Sequence, residues 1–337
     1  MSLFNHSAPT NGAANGDNHD SQDSEEYFSD DGIMEVPQED IPSYFQEAAG
    51  RLFPSGRTPY PLPVDGPEQQ RMNRTHEFLR LLFGAHYVDP VPSILSQQPG
   101  QDNYVLDLCT GTGKWVMDMA EEFPHVYFRG FDIVPIATRY PLPRVTFEIE
   151  DVNTEYRWDD ATFDLVHARF IDMAVRDFPS VIREVSRVLR PGGVFLSHEW
   201  GRHIDLDPSY GTIDSVNIPA TRRFYDVLNE ALRSARRLLP TAHRIPGMIH
   251  ASGQFTLVEE SQRQVPIGTW PQDQTSRGIG TACLESLEVF ADSARYVLLS
   301  AGMEENDMNN MLAAFISEIR TTPGLVSTLY TVCAHRA

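Results

Sequence analysis

The chain has 337 residues, three cysteines and a formal net charge of −20, with 22% charged and 41% hydrophobic residues. Its length holds one catalytic-sized domain plus a tail and inserted helices, and its acidic balance argues against a broad DNA- or RNA-binding surface. Cys109, Cys283 and Cys333 lack metal-site spacing, no long apolar run is present, and the N-terminus has no secretory h-region. The expectations are therefore no metal, no nucleic acid and no membrane, with the cytoplasm as the default compartment and the nucleus as the alternative.

Residues 1 to 50 contain eleven Asp or Glu and no Lys or Arg, which leaves −9 over residues 51 to 337. With Asn, Ser and Gly between the charges, the composition predicts a disordered acidic tail over residues 1–58. Such a tail fits a solubilising role. The alternative is a protein-partner segment in which Glu39 to Phe53 forms a short amphipathic element. Residues 59–100 read as an N-terminal helical segment, with a helix starting near Pro67 and capped by Asp65 or Gly66.

The stretch Val105-Leu-Asp-Leu-Cys-Thr-Gly-Thr-Gly-Lys-Trp115 reads as a buried strand, a glycine turn and a helix start. Gly111 and Gly113 permit positive φ and close approach of backbone to a ligand, and the helix that follows offers unpaired amides to an anionic group. A Walker loop would need glycine where Leu108 stands and Ser or Thr where Trp115 stands. A nicotinamide or flavin fingerprint would need glycine or alanine at Val116. Lys114 is the only lysine, so catalysis by a lysine elsewhere is excluded. An S-adenosylmethionine turn survives these comparisons.

That reading requires an acidic residue at the end of the next strand to bind the ribose hydroxyls, and Val126-Tyr-Phe-Arg-Gly-Phe-Asp132 supplies Asp132. Val145 to Val152 alternates and delivers Asp151 near an adenine. Phe163-Asp-Leu-Val-His-Ala-Arg169 follows as an apolar central strand, then a helix through Val188, then a strand over Arg190 to Ser197. Strand and helix alternate throughout, which argues for an α/β doubly wound parallel sheet with its ligand at the carboxyl ends of the strands. Residues 101–200 thus form a cofactor-binding core.

Residues 201–254 interrupt the pattern as a helical insertion, expected to cap a substrate pocket. Within it Phe224, Val227, Leu228, Ala231, Leu232, Ala235, Leu238 and Leu239 recur at helical spacing. Residues 255–337 begin with a strand at Phe255 to Glu260. Two further helical stripes follow, through Leu284 to Ala301 and Met308 to Ile319, and Leu325 to Cys333 closes the chain as a strand.

These residues resemble a family, the class I S-adenosylmethionine-dependent methyltransferases, and within it the fungal LaeA-like or UMTA-type group. The resemblance runs from about Tyr60 to the C-terminus. It rests on Tyr60-Pro-Leu-Pro-Val-Asp65 with Glu68, Arg71 and His76, on the motif around Asp107, and on Phe163 to Arg169. Pro191-Gly-Gly193, Pro266 to Pro271 and Gly278-Ile-Gly280 complete it. It implies one methyltransferase domain over residues 59–337: a Rossmann-like seven-stranded sheet whose last strand is antiparallel, with N-terminal helices and an inserted helical cap. The segment from Tyr60 to His76 would close over the cofactor, bringing Arg71 or His76 near the site. The group usually has glycine where this chain has Cys109, whose thiol narrows the room beside the methionine part of the cofactor.

The candidate cofactor residues are Asp107, Cys109, Thr110, Gly111, Gly113 and Trp115 from the turn, and Asp132 and Ile133 after the second strand. Asp151, Val152 and Asn153 follow the third, and His167 and Arg169 come from the fourth. If the acceptor is a hydroxyl or protonated amine a proton must leave, and His198 and Glu199 are the nearest catalytic candidates by topology; His203, His243 and His250 come next. The fourth strand ends in His-Ala-Arg rather than the Asn/Asp-Pro-Pro clamp of nitrogen methylases. Any of the four tryptophans could wall a pocket for an aromatic acceptor and add a cation–π attraction; Trp200, His203 and Phe224 are the acceptor-binding candidates. The resemblance implies either an enzyme that methylates a small molecule, a secondary metabolite taken at oxygen, or a regulator of secondary metabolism acting through velvet-type protein partners.

Overall fold

The computed structural model describes residues 4–7, 33–56 and 58–337. Short strands β1 (Phe4–Ser7) and β2 (Ile33–Glu35) precede a hairpin of β3 (Phe45–Ala48) and β4 (Arg51–Pro54). The expectation of disorder over residues 1–58 is corrected for residues 33–56, while its residues 1–3, 8–32 and 57 lie outside the described part. The segment from residue 33 to 56 folds because its few apolar side chains find a core: Val36, Ile41 and Phe53 are buried, and Phe53 packs on Tyr296 at 4.5 Å. Arg51 ties the hairpin down through ion pairs with Asp65 and Asp292. Glu39 to Phe53 is a turn of 3₁₀ helix followed by the hairpin, not a continuous amphipathic element.

Helix α1 (Gly66–Phe83) begins as expected. Asp65 caps it by accepting the Glu68 N–H, Pro67 lies in its first turn, and Gly84 ends it at φ +78. A short α2 (Val91–Ile94) leads to β5 (Tyr104–Leu108), α3 (Lys114–Glu122), β6 (Tyr127–Asp132), β7 (Val145–Ile149), β8 (Phe163–Arg169) and α4 (Phe178–Val188). The next strand, β9 (Leu189–Leu206), runs nine residues past its expected end at Ser197 because the terminal strand pairs with it along that length. The insertion then forms α5 (Pro219–Ala231), a π turn at Leu232–Arg236 and α6 (Ile245–Ser252). Strand β10 (Phe255–Pro266), helices α7 (Gln274–Ser293), α8 (Arg295–Ser300) and α9 (Glu305–Thr321), and β11 (Leu325–Arg336) complete the chain.

The sheet order is β10-β11-β9-β8-β5-β6-β7-β1-β2. The seven strands from β10 to β7 form the expected methyltransferase sheet, with β11 antiparallel to both neighbours and β5, β6, β7, β8 and β9 mutually parallel. Strand β8 is buried on both faces, as the near-continuous apolar run of a central parallel strand requires. Helices α4 and α6 cover one face; α2 and α3 cover part of the other. Helices α5, α7, α8 and α9 build a second core beside β10 and β11, into which α1 inserts Phe78 and Leu79. The strand order reverses at β5, which pairs with β6 on one side and β8 on the other, so a cleft opens there at the carboxyl ends. Among the described residues no helix is long and apolar enough to cross a membrane.

Candidate active site

The turn after β5 is held open by backbone that few side chains adopt. Cys109, Gly111 and Gly113 all lie at positive φ, +51, +56 and +74. A side chain at Gly113 would also meet Phe147 at 2.6 Å, so this glycine serves packing as well as turning. Asp107 braces the turn from beneath: Thr110 Oγ1 donates to one carboxylate oxygen at 2.6 Å and His167 Nδ1 to the other at 2.6 Å. His167 is buried and stacks on Trp115 at 3.7 Å. Burial pushes its pKa down, which keeps the ring neutral, with its Nδ1 proton on Asp107. At the end of β6, Asp132 accepts the Gly111 N–H at 2.9 Å. Burial raises Asp132 to about 6, against the pull of the Gly111, Val134 and Ile133 amides.

Helix α1 forms the opposite wall with Arg71, Met72, Thr75 and His76, as the resemblance implied. A hydrogen-bond chain links it to the sheet. Lys114 Nζ donates to Asp118 at 2.7 Å, His76 Nε2 donates to the same carboxylate at 2.8 Å, and Arg169 Nη1 donates to His76 Nδ1 at 3.2 Å. Burial, then the Arg169 charge, push His76 down to about 3, so the ring is neutral and can accept from the guanidinium. Arg169, lowered to about 10 by burial, stays cationic at neutral pH. Among the described residues His76, His86 and Asp118 bring three ligand atoms within 4.8 Å. Lys114 and Arg169 already place two cations around that group, so it reads as a relay that fixes Arg169 over the cleft.

The cleft spans about 1050 Å³, part of it open to solvent. Of the candidate cofactor residues, Asp107, Cys109, Thr110, Gly111, Trp115, Asp132, Ile133, Asp151, Val152 and Arg169 line it. Gly113, Asn153 and His167 support it from behind; Asn153 donates to Asp151 Oδ1 at 2.8 Å and to the Ala174 carbonyl at 2.9 Å. An elongated ligand with a ribose and an adenine fits this donor set, since Asp132 and Asp151 end adjacent strands and the turn amides lie beside them.

A second cavity of about 790 Å³ adjoins the first, and both are lined by Tyr60, Arg71 and Phe170. Phe170 holds a positive φ of +61, with its N–H on the His198 carbonyl at 2.9 Å, a strained position of the kind found at functional sites. Its ring stacks on Trp200 at 5.4 Å and 11°. Burial raises the Tyr60 phenol well above its ordinary value, so it remains a hydroxyl at the junction. Aromatic walls come from Phe78, Trp200, Tyr225 and Phe290, and the polar groups are Asp172, Glu199, Arg202, Ser286 and Ser327.

Glu199 lines this cavity and accepts the Ile171 N–H at 2.9 Å and the Asp172 N–H at 3.3 Å. Burial and the neighbouring Asp172 raise it well above the carboxylate range, so it rests as an acid. The expectation for His198 is corrected: it is buried, its Nδ1 bonds Thr331 Oγ1 at 2.9 Å, and it lines neither cavity. Strand β9 continues past it, so it sits mid-strand behind the wall instead of at a strand end. Phe224 is likewise core, stacked on Phe315 at 4.1 Å, and its neighbour Tyr225 faces the cavity. His203, His243 and His250 are exposed. Trp158 packs on Phe131 and Phe163, and Trp270 bonds the Leu325 carbonyl. Sequence reasoning missed Asp172, Arg202 and Tyr225. The first two stand in no motif, and the third differs from Phe224 only in helical phase.

A methyltransferase domain family matches residues 100–232. A secondary metabolism regulator laeA from Coprinopsis cinerea is 29% identical over 86% of this chain and 74% of its own. A secondary metabolism regulator LAE1 from Cochliobolus heterostrophus is 30% identical over 66% and 70%. A methyltransferase pytC from Aspergillus terreus is 24% identical over 76% and 80%.

Proposed function

Because this chain belongs to the LaeA-like family of class I S-adenosylmethionine-dependent methyltransferases, we propose that it methylates a small-molecule acceptor, a secondary metabolite, at a hydroxyl oxygen. The cofactor is S-adenosylmethionine, which supplies an electrophilic methyl group on a positively charged sulfur. In this reading Asp132 holds the ribose, Asp151 and Val152 border the adenine, and the Cys109–Gly111 turn faces the methionine part. Tyr60, Arg71 and Phe170 stand where the two cavities meet, so an acceptor in the second cavity lies beside the cofactor. Good alignment of nucleophile and leaving bond is worth about 7–11 kcal/mol, and a positioned base adds about 10²- to 10⁴-fold. Glu199 lines the acceptor cavity but rests protonated, so it takes the acceptor's proton only once its own has left to solvent; its two backbone amide bonds also fix the Phe170–Asp172 corner.

The observation that carries this reading is the second cavity: a concave pocket beside the cofactor cleft, walled by Trp200 and five other aromatic rings with a few polar groups among them. A second reading, a regulator of secondary metabolism acting through protein partners, is favoured by two relatives that are secondary metabolism regulators. A regulator docking on a broad surface calls for a contiguous apolar patch; the exposed large apolar residues described, among them Leu52, Tyr140 and Leu257, lie far apart in the chain. The reading places the enzyme in the cytoplasm, and the nucleus belongs to the alternative. Incubation with methyl-labelled S-adenosylmethionine and either metabolite extracts or fungal proteins separates the two. Label in the organic extract supports the small-molecule enzyme; label confined to protein overturns it.

A further inference from the structure

The polar end of the second cavity is incompletely paired. Arg202, 6% exposed, lines it. Its Nε lies 3.0 Å from Asp172 Oδ2, but the alignment makes no hydrogen bond from either atom, and Nη1 and Nη2 have no partner. A guanidinium carries five donors in a rigid fork and is seldom left so deep without acceptors. The same cavity is lined by stacked Trp200 and Phe170 and by Phe78, Tyr225 and Phe290.

We infer that this cavity recognises a neutral, flat aromatic acceptor whose ring-borne carbonyl or phenolic oxygen docks on Arg202 Nη1 and Nη2; the inference rests on the small-molecule reading above. The flat walls select the ring. The charge count selects neutrality: Asp172 already balances Arg202, so an acceptor carboxylate would add an unbalanced negative charge beside Asp172. Oxygen bound here also fixes which edge of the ring turns toward the Tyr60–Phe170 junction, making Arg202 a positioning residue for regiochemistry.

Three probes sharing one ring test this on protein saturated with S-adenosylhomocysteine: 2-acetyl-1-naphthol, 2-naphthoate and 2-ethylnaphthalene. Binding is read by calorimetry or tryptophan fluorescence. The hydroxyketone should bind about tenfold or more tightly than either of the others, because a site built to hydrogen-bond an oxygen rejects the analogue lacking it. Arg202→Met combined with Asp172→Asn removes the pair together and should abolish that preference while leaving S-adenosylhomocysteine affinity unchanged. Tightest binding of the naphthoate, or a preference that survives in the double variant, overturns the inference. Equal binding of all three probes also overturns it but leaves the small-molecule cavity standing. Failure of all three to bind wild-type protein that holds S-adenosylhomocysteine sinks both. If the double variant melts early or loses the cofactor product, the ranking of probes on wild-type protein decides alone.

Discussion

Asp132→Asn should move cofactor affinity and stability in opposite directions. The folded chain holds the Asp132 proton more tightly than the unfolded chain does, so this group's stabilising contribution is complete below the usual value of 3.8 and is lost as pH rises through about 6. A rise of that size corresponds to about 3 kcal/mol at neutral pH, and contact with solvent in the cleft makes this an upper bound. Asparagine keeps an oxygen to accept the Gly111 N–H, now 2.9 Å from the carboxylate, without a buried charge. The variant should therefore melt higher than wild type above pH 6, by roughly 2–4 °C for each kcal/mol recovered, and match it below pH 4. It should also lose about 1–3 kcal/mol of S-adenosylmethionine affinity through the missing charged acceptor, or about 5- to 150-fold in Kd. Melts from pH 4 to 8 with parallel calorimetric titrations check both. Lower melting at pH 7.5 with unchanged affinity would refute the assignment of a desolvated ribose acceptor.

Other expectations follow from burial and backbone. Cys109→Val puts a β-branched side chain at φ +51 and should lose more than about 1 kcal/mol of stability, whereas Cys109→Gly should fold at least as well as wild type in the same melts. Phe224→Ala empties a fully buried stack on Phe315 and should cost about 3–5 kcal/mol in denaturant unfolding, with S-adenosylhomocysteine affinity per folded molecule unchanged. His198→Gln removes the bond to Thr331 and the ring contacts with Phe83 and His167, so it should lose stability by about 1 kcal/mol or more but leave methyl transfer per folded molecule within a few-fold of wild type; a thousandfold loss would restore it as a base.

The sheet was legible because each strand announces itself. Leu106 and Leu108 flank Asp107, the β8 run is apolar throughout, and Asp132 and Asp151 end or closely follow strands as a cofactor site demands. Cleft residues were legible for the same reason: their positions are set by local chain direction at strand ends. The acceptor cavity was much less so. Tyr225 against Phe224, and Glu199 against His198, are choices of face that depend on how α5 and β9 pack, and β9 outruns its apolar stretch only because β11 pairs with it. Arg202 and Asp172 meet across thirty positions without any local signature. The acidic N-terminal segment misled because composition averages over Val36, Ile41 and Phe53, which suffice to anchor a hairpin.

The central claim is that the cofactor cleft opens into the cavity walled by Trp200, so a crystal structure of the S-adenosylhomocysteine complex tests it most directly. The account predicts the ribose on Asp132 and the sulfur at the Tyr60–Arg71–Phe170 junction, with an open path toward Trp200. A sulfur facing bulk solvent, with Phe170 sealing the second cavity from it, would contradict the account.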